Sequence, residues 1–430
     1  MIPTASPQEE DYPLNPVPAD QRKSIWSMGL VLLGFTFFTA SMWAGGSLGQ
    51  AFDFSTLLMV LAIGNLLLGL YAAILGYIAA KTGMNTALLS RFSFGKTGSK
   101  LTDLILLLTQ IGWYAWGTAT MATLLVELTG MQELMTTPLM MVFGFGFCVT
   151  ASIGYRGLVW LSRLAVPAMI ILIGVSMALT TADAGGLAKL ATITPTNDMS
   201  IATAITLVFG TFVAGATQST NWTRFARSGK TAAIITLLAF FIGNGLMMLV
   251  GAFGALVYQE ADIVGIMTAQ GLLTFGILML FLNLWTTQDN TAYNFSVVGC
   301  DLLATGRREA VTIGGAAIST ALAVMGMQEW LVPFLVLLGT FIPPIGGVIM
   351  ASYFTGHKRR YAEAGQRALP AFNLPGLTAY ALGSVVAYSS PWIAPIVGVL
   401  VAALSFTVLQ LARQAIRARR PRPGLRRHLA

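Results

Sequence analysis

The chain has 430 residues, 55% of them hydrophobic and only 10% charged, with a formal net charge of +8 and a mean hydropathy of +0.73. A soluble globular protein carries about 25% charged residues, so a water-soluble enzyme or nucleic-acid-binding domain is excluded. Apolar runs of about 20 residues, each able to cross a hydrocarbon core of about 30 Å, recur along the whole length and predict an all-α polytopic membrane protein.

Residues 1–20 are polar, acidic and Pro-containing. They lack the basic region and short apolar core of a signal peptide and read as a disordered cytoplasmic leader. Twelve spans are predicted, near 24–48, 55–80, 101–126, 137–155, 158–181, 201–224, 231–257, 266–290, 309–326, 330–355, 372–389 and 391–413. The stretch 291–305 either extends span eight or forms a short helix of its own.

Span one contains Gly34-Phe35-Thr36-Phe37-Phe38-Thr39-Ala40-Ser41, and span six contains Gly210-Thr211-Phe212-Val213-Ala214-Gly215-Ala216-Thr217. Gly and Thr are weak helix formers, so both stretches are places for a helix to unwind. Unwound backbone at membrane depth is tolerated only where it lines a cavity or is buried in protein. A paired interruption in two halves of a chain points to the binding site of a secondary transporter. The Gly-rich run Gly45-Gly46-Ser47-Leu48-Gly49 lacks the Lys of a phosphate loop and reads as a helix exit.

In span three, Gln110 and Trp113 are three residues apart and share a helical face. Trp offers a flat stacking platform and the Gln amide both a donor and an acceptor, a pair suited to a planar polar heterocycle such as a nucleobase. Gly112 between them admits the close approach of another helix. Phe38 and Phe212, one at each interruption, would close the ring sandwich.

Span eight carries Asn283-Leu284-Trp285-Thr286-Thr287-Gln288-Asp289-Asn290, costly in a membrane unless it faces protein or water. Asn283, Thr286 and Thr287 share one face, and their neutral oxygens suit Na⁺. Asp289 reads as a proton relay, a member of an internal hydrogen-bond network, or the cytoplasmic end of the span, where it and Asn290 would meet water; the structural readings are favoured. In span ten, Pro343 and Pro344 interrupt the helix, at either a gate or a static kink.

Arg and Lys crowd one set of loops and the C-terminal tail, from Arg22 and Lys23 through Arg224 and Arg227 to Arg426 and Arg427. The alternate loops hold acidic residues and only Lys189 as a base. This positive-inside pattern predicts both termini in the cytoplasm. Cys148 and Cys300 lie in or beside apolar segments as packed small side chains. His357 and His428 are isolated from other metal ligands, and no Walker loop is present. Catalytic residues are not expected, and the loops are too short for a soluble signalling domain.

The run Gly34–Gly46, the segment Ser90-Arg91-Phe92-Ser93-Phe94-Gly95, Gln110-Ile111-Gly112-Trp113 and Asn283–Asn290 resemble the bacterial cytosine permeases, of the nucleobase–cation symport family. The resemblance implies two inverted five-helix repeats, over 24–181 and 201–355, with discontinuous helices one and six. Two extra helices over 372–413 and a basic tail over 414–430 would follow. It implies a monomeric inner-membrane symporter that imports cytosine with Na⁺ by alternating access. A related heterocycle (hydroxymethylpyrimidine, a purine or a hydantoin) or proton coupling is the alternative. By the same resemblance, Na⁺ would be held by the carbonyls of Gly34 and Phe37 with Asn283, Thr286 and Thr287. The base would be held by Phe38, Gln110, Trp113, Phe212, Ala214 and Asn283. Ala214 stands where the family has Ser, and Gln288 where it has Asn.

Overall fold

The computed structural model describes residues 12, 14–260, 263–327, 331–357, 359, 361 and 369–419, and these are overwhelmingly helical. Span one is broken as expected. Helix α1 (Ile25–Thr36) and helix α2 (Thr39–Ala51) meet at Phe37-Phe38, where Phe38 is extended (φ −134°, ψ 130°) and the axis turns by 49°. Helix α3 (Phe54–Thr82) follows. Asp53 caps it by accepting hydrogen bonds from the Ser55 hydroxyl and from the Ser55 and Thr56 amides, which together hold its carboxyl below the usual carboxylate range, and Gly83 closes it at φ +74°. Met59, Ile63, Leu66, Leu70 and Ile74 form an exposed apolar stripe along α3, the face a lipid would cover, while Gly64, Leu68 and Leu75 are buried.

The short helix α4 (Thr86–Phe94) leads into α5 (Ser99–Thr129). Span four is divided at Phe147 into α6 (Thr136–Gly146) and α7 (Cys148–Ile153), and α8 (Tyr155–Asp183) is span five. After the single turn α9 (Leu187–Leu190), α10 (Ile201–Thr217) runs without interruption. The unwinding expected over Gly210–Thr217 is therefore absent. The Thr hydroxyls instead bond back along the helix, Thr211 to the Val208 carbonyl and Thr217 to that of Val213. The chain turns only afterwards, at Gln218-Ser219, before the single turn α11 (Thr220–Thr223).

Helices α12 (Gly229–Leu238) and α13 (Gly245–Tyr258) are joined by a π-helical stretch, Ala239–Asn244. Helix α14 (Ile263–Ala269) precedes α15 (Leu273–Leu302), which absorbs the stretch 291–302 into span eight. Asp289 and Asn290 therefore lie mid-helix and fully buried, not at a water-facing end. Helix α16 (Arg308–Val324) is followed by α17 (Leu331–Phe341) and α18 (Pro343–Ala351), the interruption that the two prolines predict. Helices α19 (Leu374–Ser389) and α20 (Ala394–Arg419) end the described chain, so the first residues of the expected tail are helical and 420–430 lie outside the described residues.

Among the described residues, seven helices are long and apolar enough to cross a membrane, eight if the bent α1–α2 pair counts as one span. Helices α5 and α15 have 31 and 30 residues but are too polar to join that group, and α16 and α19 have only 17 and 16 residues. The two polar helices pack on each other in the interior, with α8 against α15 and α10 against α3.

Two expectations about small segments are corrected. Gly45, Gly46 and Gly49 lie inside α2 rather than at its exit. A Cβ on Gly45 would stand 2.0 Å from the Met248 carbonyl oxygen and one on Gly49 2.3 Å from that of Ala252, so the glycines let α2 and α13 touch backbone to backbone. The end of the leader is docked, the Val17 N–H donating to the Gly83 carbonyl (2.9 Å), and just beyond it the Lys23 N–H donates to that of Phe225 (2.7 Å). Residues 1–11 and 13 lie outside the described residues.

Candidate functional site

The break in α1–α2 frees backbone groups, and span eight takes them up. The Asn283 side chain donates to the Phe37 carbonyl (2.6 Å) and accepts from the Thr39 amide (2.9 Å) and hydroxyl (2.7 Å). The Thr287 hydroxyl donates to the same Phe37 carbonyl (3.1 Å), and that of Thr286 to the Asn283 carbonyl (2.8 Å). A helix interrupted inside a membrane must have these groups satisfied, and one amide with two donors and one acceptor does most of it. Phe37, Asn283, Thr286 and Thr287 are thus brought together, all buried. Gly34 lies a turn earlier against α8, where a Cβ would stand 2.8 Å from the Ser162 hydroxyl oxygen. That hydroxyl is buried and has no hydrogen-bond partner among the described residues. The donor set is neutral oxygen, which suits a monovalent hard cation. Among the described residues no three His, Cys, Asp or Glu side chains cluster as a divalent site would require.

Beside this knot lies a small cavity of about 10 Å³, the room of roughly one water. Phe38, Gln110, Trp113, Phe212 and Thr287 line it, with Phe35, Thr211, Gly215 and Thr291. Four of the expected base-binding residues are therefore together. Ala214 and Asn283 do not line it: Asn283 is committed to the break, and the Ala214 carbonyl accepts from the Gln218 amide (3.0 Å).

Phe38 is the hub of the cavity. Its ring meets Trp113 (5.4 Å, 77°), Trp116 (5.5 Å, 83°) and Phe212 (5.8 Å, 76°), each edge to face. A ring inserted between Phe38 and Trp113 needs two contacts of about 3.5 Å each, so Phe38 must turn or withdraw first. Phe334 from α17 covers the other side of Trp113 (5.3 Å). Gly112 makes room for it: a Cβ there would stand 2.8 Å from the Phe334 ring.

Sequence inspection missed the partner of Gln110, whose amide donates to the side-chain oxygen of Gln218 at the end of α10. It also missed Asn244, whose amide donates to Asn65 (2.8 Å) and Thr211 (3.2 Å) and accepts from the Ser41 hydroxyl, joining four helices beside the site. A lone Asn in an apolar span was the available signal. Gln288 leaves the cavity for α5, donating to the Tyr114 carbonyl (2.6 Å) across Gly117. Asp289 does not line the cavity, and Thr150 and Arg308 are the polar neighbours of its carboxylate.

Residues 16–409 match the family model described as permease for cytosine/purines, uracil, thiamine, allantoin. The chain is 38% identical over 402 residues to the cytosine permease of Escherichia coli (strain K12), covering 94% of each. In structure it is similar to Mhp1, a nucleobase-cation-symport-1 family transporter, in a closed conformation with bromovinylhydantoin bound. That match has a TM-score of 0.79, 19% identity and coverage of 94% of this chain and 95% of the other. It also resembles a Na⁺-coupled sialic acid symporter in a substrate-bound outward-open state (TM-score 0.66, 14% identity, 91% and 90% covered).

Proposed function

The chain belongs to the family of permeases for cytosine/purines, uracil, thiamine and allantoin, multi-pass membrane transporters rather than enzymes, and from that premise we propose that it imports cytosine together with Na⁺. The observation that carries the reading is the contact between the two halves of the site. Asn283 and Thr287 hold the broken backbone of span one at Phe37, and the next residue, Phe38, is the hub of the aromatic cavity. The oxygens suited to Na⁺ and the rings suited to a base are thus one residue apart.

Trp113 stacks the base, with Phe38 or Phe212 on its other face. Gln110 exchanges its bond to Gln218 for the polar edge of the ring. Na⁺ takes the carbonyls of Gly34 and Phe37 and the oxygens of Asn283, Thr286 and Thr287. It thereby fixes span eight to the break and holds Phe38 in the position that admits the base. Each ligand then tightens the other by the same factor. Span ten, through Phe334 over Trp113, is the element that opens and closes above the base. Twelve spans, in two inverted five-helix repeats over 24–181 and 201–355 with two further helices, place both termini in the cytoplasm of an inner membrane, with the transporter a monomer.

Uptake of radiolabelled cytosine into proteoliposomes tests the proposal. A Na⁺ gradient should drive accumulation that a K⁺ gradient does not, with unlabelled cytosine competing better than uracil, hypoxanthine or hydantoin. Asp289, a carboxylate buried deep in span eight beside Thr150 and Arg308, favours protons as the alternative coupling ion. Accumulation that follows a pH gradient and ignores Na⁺ would establish that alternative.

A further inference from the structure

Beyond the cavity, toward the basic side of the molecule, the same chemistry occurs a second time. Phe35 lines the cavity and lies edge-on to Phe212 (5.2 Å, 85°), but its other side rests on Trp222 of α11 (4.8 Å, 44°). Trp222 is fully buried, and its indole N–H has no hydrogen-bond partner among the described residues. Next to it in the chain, and on α15 across the Asn221–Asn294 bond, are buried amides that are only partly satisfied among the described residues. Gln218 precedes Trp222 by one helical turn; its oxygen accepts from Gln110, and its NH₂ is unpartnered. Asn221 donates to Asn294 of α15 (2.8 Å), and the Asn294 NH₂ is unpartnered. Asn290, one turn before Asn294, donates to the Thr286 carbonyl (2.8 Å) and leaves its own oxygen free.

Buried polar groups are ordinarily paired. Here one indole donor, two amide donors and one amide acceptor go unpaired among the described residues, on elements α10–α11 and α15, which are bridged by the Asn221–Asn294 bond. Together they offer an aromatic face and both hydrogen-bond polarities, the equipment that a planar polar heterocycle requires. Phe35 separates this group from the cavity. Gly215 gives its ring the space to stand there, since a Cβ at Gly215 would be 2.4 Å from it.

We propose that Phe35 is a door and that Trp222, with Gln218, Asn290 and Asn294, forms a transit subsite for the pyrimidine base between the cavity and the cytoplasm. The proposal rests on the reading that the cavity takes the base. The base leaves Trp113, passes Phe35 as the ring swings off Trp222, and pauses against the indole before release. Such a waypoint lowers the barrier to crossing without altering affinity at the cavity, so its loss slows movement in both directions equally.

Trp222→Phe keeps an aromatic ring and removes the N–H; Asn290→Ala removes the free acceptor. Cytosine binding to each purified variant in Na⁺ should stay within twofold of wild type. Proteoliposome influx and efflux should both fall about tenfold. A cryo-EM map of the inward-open protein at saturating cytosine should show a flat density beside Trp222 that is absent without cytosine. Unchanged turnover in both variants, affinity falling in step with turnover, or ordered water alone beside Trp222 would each overturn the subsite and leave the cavity reading intact. A wild-type protein that does not bind cytosine removes the premise, and the subsite with it.

Discussion

Asn283 holds the broken backbone of span one and, in the proposed function, also takes Na⁺; its removal separates the two roles. Truncation to Ala strands the Thr39 amide and leaves the Phe37 carbonyl to Thr287 alone, at about 1–3 kcal/mol for each buried group left unsatisfied. A ligand that binds only the folded state raises stability in proportion to the logarithm of its concentration over Kd. Replacing choline by Na⁺ should therefore raise the wild-type melting temperature. Asn283→Ala and Thr287→Ala should still melt cooperatively but lose that increment; a full Na⁺ response in Asn283→Ala would take the residue out of the cation site. In the proposed function Trp113 acts on the other ligand. Base stacking on an aromatic side chain is worth about 1–3 kcal/mol, so Trp113→Ala should weaken cytosine binding by about 5- to 150-fold. Trp113→Phe should retain most of the affinity, and equal loss in the two variants would argue against stacking. These residues were legible in the sequence because Gln, Trp, Asn and Thr are costly in an apolar span. Gln218 was not, because nothing in its local pattern tells a helix end from a pairing partner for a residue 108 positions away.

At the level of elements, the same composition had two outcomes. Gly34–Ser41 does break, because Asn283 and Thr287 supply the partners that the interrupted backbone needs. Gly210–Thr217 stays helical, because its small residues serve packing: Gly215 seats the Phe35 ring and the Thr hydroxyls bond back along α10. Composition alone cannot distinguish a glycine that permits unwinding from one that permits close approach. The α2–α13 contact is the clearest case of close approach, since a Cβ on Gly251 would lie 1.9 Å from the Met42 carbonyl oxygen, with Gly45 and Gly49 reciprocating from α2. Gly251→Ala must push two backbones apart, at about 1–3 kcal/mol. Gly314 in α16 has nothing within 4 Å of an added Cβ, and Ala there gains about 1 kcal/mol of helix propensity. Thermal melts in detergent should show Gly251→Ala lowered and Gly314→Ala unchanged or raised. Equal melting temperatures for the two variants would mean that the backbone contact contributes little.

Across the whole molecule, the leader and the residues that join it to α1 tie the basic ends of three spans together. The Val17 amide bonds to Gly83 at the end of α3, and the Arg22 guanidinium donates to the carbonyls of Ala80 (2.8 Å) and Ala226 (2.9 Å). Lys23 pairs with Ala226 as an isolated β-bridge, and its ammonium lies 4.1 Å from the centre of the Tyr155 ring at the start of α8. The positive-inside pattern anticipated the charges but not this use of them, because a count of basic residues records the side of the membrane and not the partner. On the proposed route past Trp222, this strap, which binds the residues just after α11, would have to release before that side opens. Each charge-assisted bond is worth about 1.5–3 kcal/mol and the cation–π contact about 0.5–1 kcal/mol or more. Weakening both should therefore raise the inward-open population by about tenfold or more. In Arg22→Gln/Lys23→Gln, a Thr220→Cys reporter should react correspondingly faster with an impermeant thiol reagent applied to the cytoplasmic face. Apparent cytosine affinity should fall with the fraction of protein remaining in the binding-competent state. Unchanged labelling beside normal affinity would show that the strap holds the leader in place without restraining the gate.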